Sequence, residues 1–356
     1  MSHTSSDSGY SDALVSVVLP TFNRVALLQE AIASVEAQTW SSWELLVVDD
    51  GSTDATAESL QSRQRIHLLR RAHTGNVASL RNAGLRAATG VYVAFLDSDD
   101  RWHPEKLACQ VARLRARPDC GWCHGGFAMI NTTGEQIPQR VGPPWRPREG
   151  WALREVLTTE ASISLQTVIV RRELALSVLF DERIPFGDDY DFIVRLAGVA
   201  CACSVETIVA DIREHRAQTS RGGRYDQHLG LAMAYRKCGR HVTDPALRRI
   251  CQQRWVETIR FFLANARASG QLIGALRLAL EGRNRAPTIV PTPAAEKRKP
   301  SRSGPTCRTF VAYTGRIKAS DGAKKSMAPY PDNAHGNTAS RRTVTRAVRM
   351  ACPVDR

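Results

Sequence analysis

Three aspartates close an apolar run at Val91 to Asp100, VYVAFLDSDD: Asp97, Asp99 and Asp100. Two carboxylates two residues apart offer hard oxygens to a divalent cation such as Mg²⁺ or Mn²⁺, which in turn can hold a diphosphate. A solvated acidic turn is the plain alternative. Two more acidic groups stand at Asp49-Asp50 and at Asp188-Asp189-Tyr190-Asp191. So many carboxylates converging on one rim would repel each other unless a cation, or a cationic partner of the substrate, sat among them.

The elements that carry these groups are legible as runs. Val91 to Leu96 has the continuous apolar character of a strand buried on both faces of a largely parallel sheet, so its aspartates lie just past the carboxyl end, where open α/β sheets bind ligands. Val15 to Leu19 is a similar strand ending in Pro20-Thr21-Phe22-Asn23. Trp43 to Val48 is a third, stopped by Asp49 to Asp54, where Gly51 permits a tight turn and Ser52 or Thr53 can cap a helix. Helices are expected from Ala26 to Val35, from about Gly75 to Ala88, and from Glu105 to Ala116, with a weaker strand at Ile66 to Leu69. Strand and helix alternating in this rhythm indicate right-handed βαβ units and a doubly wound sheet.

Farther on, Asn131 to Gly150 reads as a loop across the working edge, with three prolines in PPWRP. Gln166 to Val170 reads as a strand, as does the stretch around Cys201 to Val209, ending near His215, and Gly187 opens a helix whose apolar face is Phe192, Ile193, Leu196 and Ala197. One of Asp188 and Asp191 is expected to cap that helix, and Asp100 to cap the turn into Trp102-His103-Pro104. From Tyr225 to about Leu280 the pattern is helical.

Composition bounds the class. In 356 residues, 43% are hydrophobic and 24% charged, and no apolar run approaches a membrane span. The leader MSHTSSDSGYSDA has no basic and apolar regions of a signal peptide, which points to the cytoplasm. Nine cysteines without a small-domain framework suggest reduced thiols. Cys120-Gly-Trp-Cys123-His124 spells a covalent haem-attachment pattern, but nothing exports the chain to an oxidising compartment. Zinc is set aside because no second CxxC or His pair completes a set. Of the net charge of +14, residues 285–356 carry +11, from fifteen Lys and Arg against four Asp and Glu, leaving +3 for the body. That tail has no hydrophobic periodicity and is expected to be disordered. It can serve as a peripheral contact at the inner face of a membrane. A solvated appendage, or a non-native end to the reading frame, accounts for it equally well.

The motifs SVVLPTFNR, LLVVDDGSTD, ASLRNAGLRAATGVYVAFLDSDD, TVIVRRE, FGDDYDFIVRLA and REHRAQTS, in that order, resemble the family 2 glycosyltransferases over about Val15 to Ser220. The resemblance implies a GT-A fold, an α/β Rossmann-like architecture with a doubly wound, mostly parallel sheet, over residues 14–220. A small helical region at 221–284 and the basic tail would follow. It further implies inverting transfer of a sugar from a nucleotide diphosphate to a glycan or lipid-linked acceptor, with Mn²⁺ or Mg²⁺ as cofactor. By likeness Thr21, Phe22, Asn23 and Asp50 would hold the nucleotide, with Asp50 accepting from a base ring N–H. Asp99 would bind the metal, with Asp97 on the ribose or beside the metal. Arg81 would orient the nucleotide or an acidic residue, and His215 would meet the diphosphate or metal. Asp189 would be the general base, with Asp188 standing where the family carries Glu. Two other readings are a nucleotidyltransferase, which PTFNRVALL does not support since it lacks a Gly-rich basic loop, and a nucleic-acid binder acting through the tail. No recognition module supports specific nucleic-acid binding.

Overall fold

The continuous apolar runs become the central strands of one mixed sheet. The computed structural model describes residues 13–61, 63–139, 144–184, 186–215 and 224–268, all within one compact unit that spans residues 1–289. The expected disorder of the leader and of the tail 285–356 concerns residues that, apart from Ala13, lie outside the described ones. In chain order the elements are β1 (Val15–Thr21), α1 (Val25–Glu36), β2 (Trp43–Asp49), α2 (Thr56–Ser59), β3 (Ile66–Arg70), α3 (Val77–Ala87), β4 (Tyr92–Phe95), β5 (Arg101–Trp102), α4 (Lys106–Ala116), β6 (Trp122–Ile130), β7 (Gln136–Ile137), α5 (Leu153–Leu157), β8 (Ile169–Arg171), α6 (Arg172–Val178), α7 (Asp188–Val199), β9 (Ala202–Arg213), α8 (Arg224–His241) and α9 (Pro245–Ala268).

The sheet runs β3-β2-β1-β4-β8-β6-β9-β5, with β7 paired to β6. β3, β2, β1 and β4 are mutually parallel. β8 enters antiparallel between β4 and β6, and β9 runs parallel to β6. Alternate residues of each central strand feed two cores. Val18, Val48, Val93 and Phe95 pack on one face, and Val17, Leu19, Val47, Ala94 and Leu96 on the other. Burial on both faces is why these strands lack a polar alternation. Gly84 in α3 permits the close contact with β1, since a Cβ there would meet Val18 Cγ1 at 2.5 Å.

Several local expectations are corrected. The run at Gln166 forms a 3-10 turn, Leu165–Thr167, before the short β8. β9 runs from Ala202 to Arg213 and so ends near His215 as expected, because β6 offers it a ladder as far as Ile130. Neither Ser52 nor Thr53 caps α2. Asp54 does the local work, accepting from Thr56 N and Oγ1 and from Val25 N. α7 is preceded by Gly187 in the left-handed region, with no side-chain cap. Asp191 instead pairs with Arg195 and with Lys237 of α8, and Asp188 turns toward Arg81. Asp100 accepts from the backbone N–H of Arg213 and so fastens the end of β9, not the turn at Trp102. α8 and α9 belong to the same compact unit as the sheet: the Tyr190 hydroxyl reaches that of Tyr235 at 3.2 Å.

Candidate active site

The carboxyl ends of β1, β2 and β4 and the start of α7 surround a cleft of about 540 Å³, lined among others by Thr21, Phe22, Asp50, Arg81, Asp97, Asp99, Asp188 and Asp189. Eight of the sequence-selected residues are thereby brought to one place. Asn23 is not in that lining. Its backbone takes φ 48°, and its side-chain oxygen accepts from Thr53 N, so it ties the β1 loop to the β2 loop.

At the ends of β1 and β2, the Phe22 ring stacks on His73 at 4.1 Å between centroids and 19° between planes. His73, in the loop after β3, was not singled out from sequence. Asp50 organises that loop: Oδ1 accepts from Thr74 N and Oγ1, and Oδ2 accepts from Gly75 N and lies 2.9 Å from His73 Nδ1. Its four lone-pair sites are therefore occupied. A base ring N–H reaches Asp50 only by displacing His73, the half-exposed partner. Gly51 takes φ +78°, and a Cβ there would crowd His73 N at 3.0 Å, so the turn needs glycine. The buried hydroxyl of Thr21 has no hydrogen-bond partner among the described residues, a polar atom available to a ligand in the cleft.

Next comes the carboxylate cluster. Arg81, buried on α3, donates to Asp97 Oδ1 and Asp188 Oδ2, each at 2.7 Å, and lies over the Phe180 ring. Burial opposes its charge, but Asp97 and Asp188 outweigh that and hold its pKa above the ordinary value. Arg81 thus orients acidic residues, one of the two roles the sequence left open. Gln166 Nε2 donates to the other oxygen of Asp97 at 2.5 Å. Asp189, half-buried, accepts from Tyr190 N. Burial, then the adjacent Asp188 charge, push its carboxyl up to about 6 despite the opposing pull of Arg81.

Asp99 Oδ2 receives Arg24 Nη1 at 2.8 Å and lies 3.0 Å from His215 Nε2. Arg213 delivers that histidine. Its Nε donates to the Asp99 carbonyl, and its Nη2 pairs with Glu30. Burial, followed by the charges of Asp99 and Asp97, raises the Asp100 carboxyl well above its usual range, with Arg213 opposing. The carboxylate suits Mn²⁺ or Mg²⁺, the imidazole beside it favours Mn²⁺ of the two, and both contacts use Oδ2, so neither engages Oδ1. Asp99 and His215 fit the implied cation. Asp97 is held on the Arg81 side and fits it less directly. Arg24 and Gln166 were missed from sequence, although Arg24 closes the quoted PTFNR motif.

Fold and cleft together define an α/β domain of the GT-A type, with carboxylates at the carboxyl edge of its parallel strands. Residues 16–163, about two fifths of the chain, match the family described as glycosyl transferase family 2. It is 33% identical over 164 residues to the putative teichuronic acid biosynthesis glycosyltransferase TuaG of Bacillus subtilis, covering 45% of this chain and 63% of that one. It is 38% identical over 122 residues to an Escherichia coli UDP-Glc:alpha-D-GlcNAc-diphosphoundecaprenol beta-1,3-glucosyltransferase, 34% of this chain and 48% of that one. The chain thus spans less than two thirds of these relatives. Among solved structures, S. aureus TarS 1-349 in complex with UDP-GlcNAc shares the fold with a TM-score of 0.58 at 19% identity, over 75% of this chain and 81% of that one. A Pyrobaculum calidifontis mannosyltransferase in complex with GDP-Man and Mn2+ gives 0.50 at 21% identity, over 75% and 79%. No described helix is long and apolar enough to cross a membrane.

Proposed function

We propose that this chain is a metal-dependent inverting glycosyltransferase that moves a sugar from a nucleotide diphosphate to the hydroxyl of a glycan or lipid-linked acceptor in cell-envelope or exopolysaccharide synthesis. The observation that carries this reading is one cleft lined by Thr21 and Phe22, by Asp97 and Asp99, and by a carboxylate, Asp189, whose pKa is raised toward neutrality. Relatives named for envelope polysaccharides, and neighbours solved with UDP-GlcNAc or with GDP-Man and Mn²⁺, support the substrate class. The family match favours sugar transfer over nucleotidyl transfer.

In this reading Phe22 and His73 stack the base, and Thr21 Oγ1 gives it a hydrogen bond. Asp97, fixed by Arg81 and Gln166, meets the ribose. Asp99 and His215 would hold Mn²⁺ or Mg²⁺, which supplies neutralising charge to the departing diphosphate. Arg24 lies beside the same carboxylate and adds a second positive charge for the phosphates. Asp189 takes the proton from the acceptor hydroxyl as that oxygen attacks the face opposite the leaving group, a displacement that inverts the anomeric carbon. Asp188 keeps Arg81 beside this base.

A thermal-shift screen of nucleotide sugars with and without Mn²⁺ tests the donor class, because a ligand that binds the folded state raises its melting point. The reading expects one nucleotide family to stabilise the chain, more so with Mn²⁺. No donor doing so, or transfer that retains anomeric configuration by NMR, overturns it.

A further inference from the structure

Far from the cleft, the structure gathers cysteines that sequence spacing left apart. β8 runs antiparallel to both β4 and β6, so β6 and its parallel partner β9 start at the sheet edge opposite the catalytic carboxylates. At that edge Cys123 pairs in register with Cys203, and Gly121 N donates to the Cys201 carbonyl at 3.0 Å. The fold brings Cys201-Ala-Cys203, a pair spaced more closely than CxxC, beside the Cys120 to Cys123 segment. Cys201 Sγ lies 3.5 Å from Cys120 Sγ, and Cys120 Sγ lies 3.9 Å from Asp119 Oδ2. Ligand atoms of Asp119, Cys120 and Cys201 all lie within 4.8 Å of one another, the compact three-ligand group among the described residues.

We propose that Asp119, Cys120 and Cys201 form a structural site for a thiophilic divalent cation such as Zn²⁺, stapling the amino ends of β6 and β9. A tetrahedral ion with Zn–S of about 2.3 Å places two sulfurs about 3.8 Å apart and a sulfur and an oxygen about 3.5 Å apart. The observed 3.5 Å and 3.9 Å separations need adjustments of only a few tenths of an ångström. Arg117 clamps Asp119 through Nε and Nη2 at 3.1 and 3.0 Å, which fixes the carboxylate and offsets the negative charge of two thiolates. Cys203 Sγ instead lies 3.6 Å from the Trp122 carbonyl, so water would take the fourth position. Binding releases the two thiol protons to solvent. In the free site burial, then the Cys201 thiol, push the Cys120 thiol up to about 12, so the cation must displace a firmly held proton.

The test is Co²⁺ titration of the full, reduced, chelator-treated chain. It reads the thiolate-to-cobalt absorption that oxygen and imidazole ligands at the catalytic cleft cannot produce. One equivalent is expected to generate the band, with Zn²⁺ abolishing it by competition. Cys120→Ser and Cys201→Ser should remove it, Asp119→Asn should weaken affinity roughly tenfold or more, and Asp99→Ala should leave it unchanged. Asp119 is exposed and Cys201 half-buried, so their variants can be checked for an unchanged near-ultraviolet circular dichroism spectrum. Absence of the band, its survival in folded Cys201→Ser, or a Cys120–Cys201 disulfide with no cobalt uptake after reduction would overturn the proposal.

Discussion

Arg81→Met keeps the length of the buried side chain and removes its charge. The arginine is 5% exposed and bridges Asp97 and Asp188 at 2.7 Å on each side, with Asp189 also within its field. Removing one partner from a buried ion pair costs about 3–5 kcal/mol, because the remaining charge stays desolvated. Here two carboxylates lose their shared cation, so the loss at pH 7 is expected at the upper end, about 4–5 kcal/mol. Since the total stability of a domain is about 5–15 kcal/mol, the variant should be marginal. The pH dependence identifies the cause. In the variant, protonating a stranded carboxylate relieves the repulsion in the folded state but not in the unfolded chain. The folded state then binds more protons, and stability rises on acidification. Urea unfolding at pH 7.5 and 5.5 should show the gap to wild type narrowing at the lower pH. A loss below about 1 kcal/mol, or a gap that does not narrow, would refute the role of Arg81 as counter-charge for the pair.

Three further outcomes are expected. Asp189→Asn should retain donor binding and lose transfer by several orders of magnitude. With its carboxyl near 6 in the wild type, donor-saturated transfer should fall about tenfold per unit below that pH, and an equal fall in the Asn variant's residual rate would speak against this base. Asp99→Ala and His215→Ala should each weaken nucleotide binding measured by calorimetry with Mn²⁺ and leave the metal-free value nearly unchanged; unchanged affinity with Mn²⁺ would remove both from the metal site. His124 is fully buried, accepts from Trp145 Nε1 and hydrogen-bonds the Arg148 carbonyl through Nε2. Burial lowers it to about 4, so the unfolded chain binds the extra proton between about 6.5 and 4. Its share of stability, about 2 kcal/mol by pH 5, is lost on acidification. Asp189 works in the opposite direction, so the readout is the difference from His124→Gln, which should lack this loss.

What the sequence shows and what it hides divide along range. Val15 to Leu19, Trp43 to Val48 and Val91 to Leu96 declare themselves because burial on both faces demands continuous apolar residues, and the aspartates that end them are placed by the chain's own direction. The three-residue β8 carries too few residues for any period, and its position between β4 and β6 is decided by partners far away in sequence. Long side chains are harder still. Arg24 reaches Asp99 across 75 positions, and Arg213 reaches Glu30 across 183. An arginine's partner is fixed by the folded surface it lies on, which local spacing does not encode. The Cys120 and Cys201 thiols meet for the same reason, 81 residues apart.

The arrangement of cations explains how a crowded acidic cleft can persist before any ligand arrives. Asp97 and Asp188 share Arg81, while Asp99 has Arg24 and His215, so these three carboxylates each lie against a guanidinium. The two groups differ in permanence. Arg81 is buried and fixed from both sides, whereas Arg24 is partly exposed and contacts one oxygen of Asp99. A divalent cation entering at Asp99 can therefore displace or share the place of Arg24 at little structural cost, but not that of Arg81. Among the described residues Asp189 has no arginine within hydrogen-bond reach, and burial with the adjacent Asp188 charge raises its pKa against the more distant pull of Arg81. On the proposed reading the cleft thus sets one carboxylate beside a displaceable cation for a metal and raises another by burial and the Asp188 charge to take a proton.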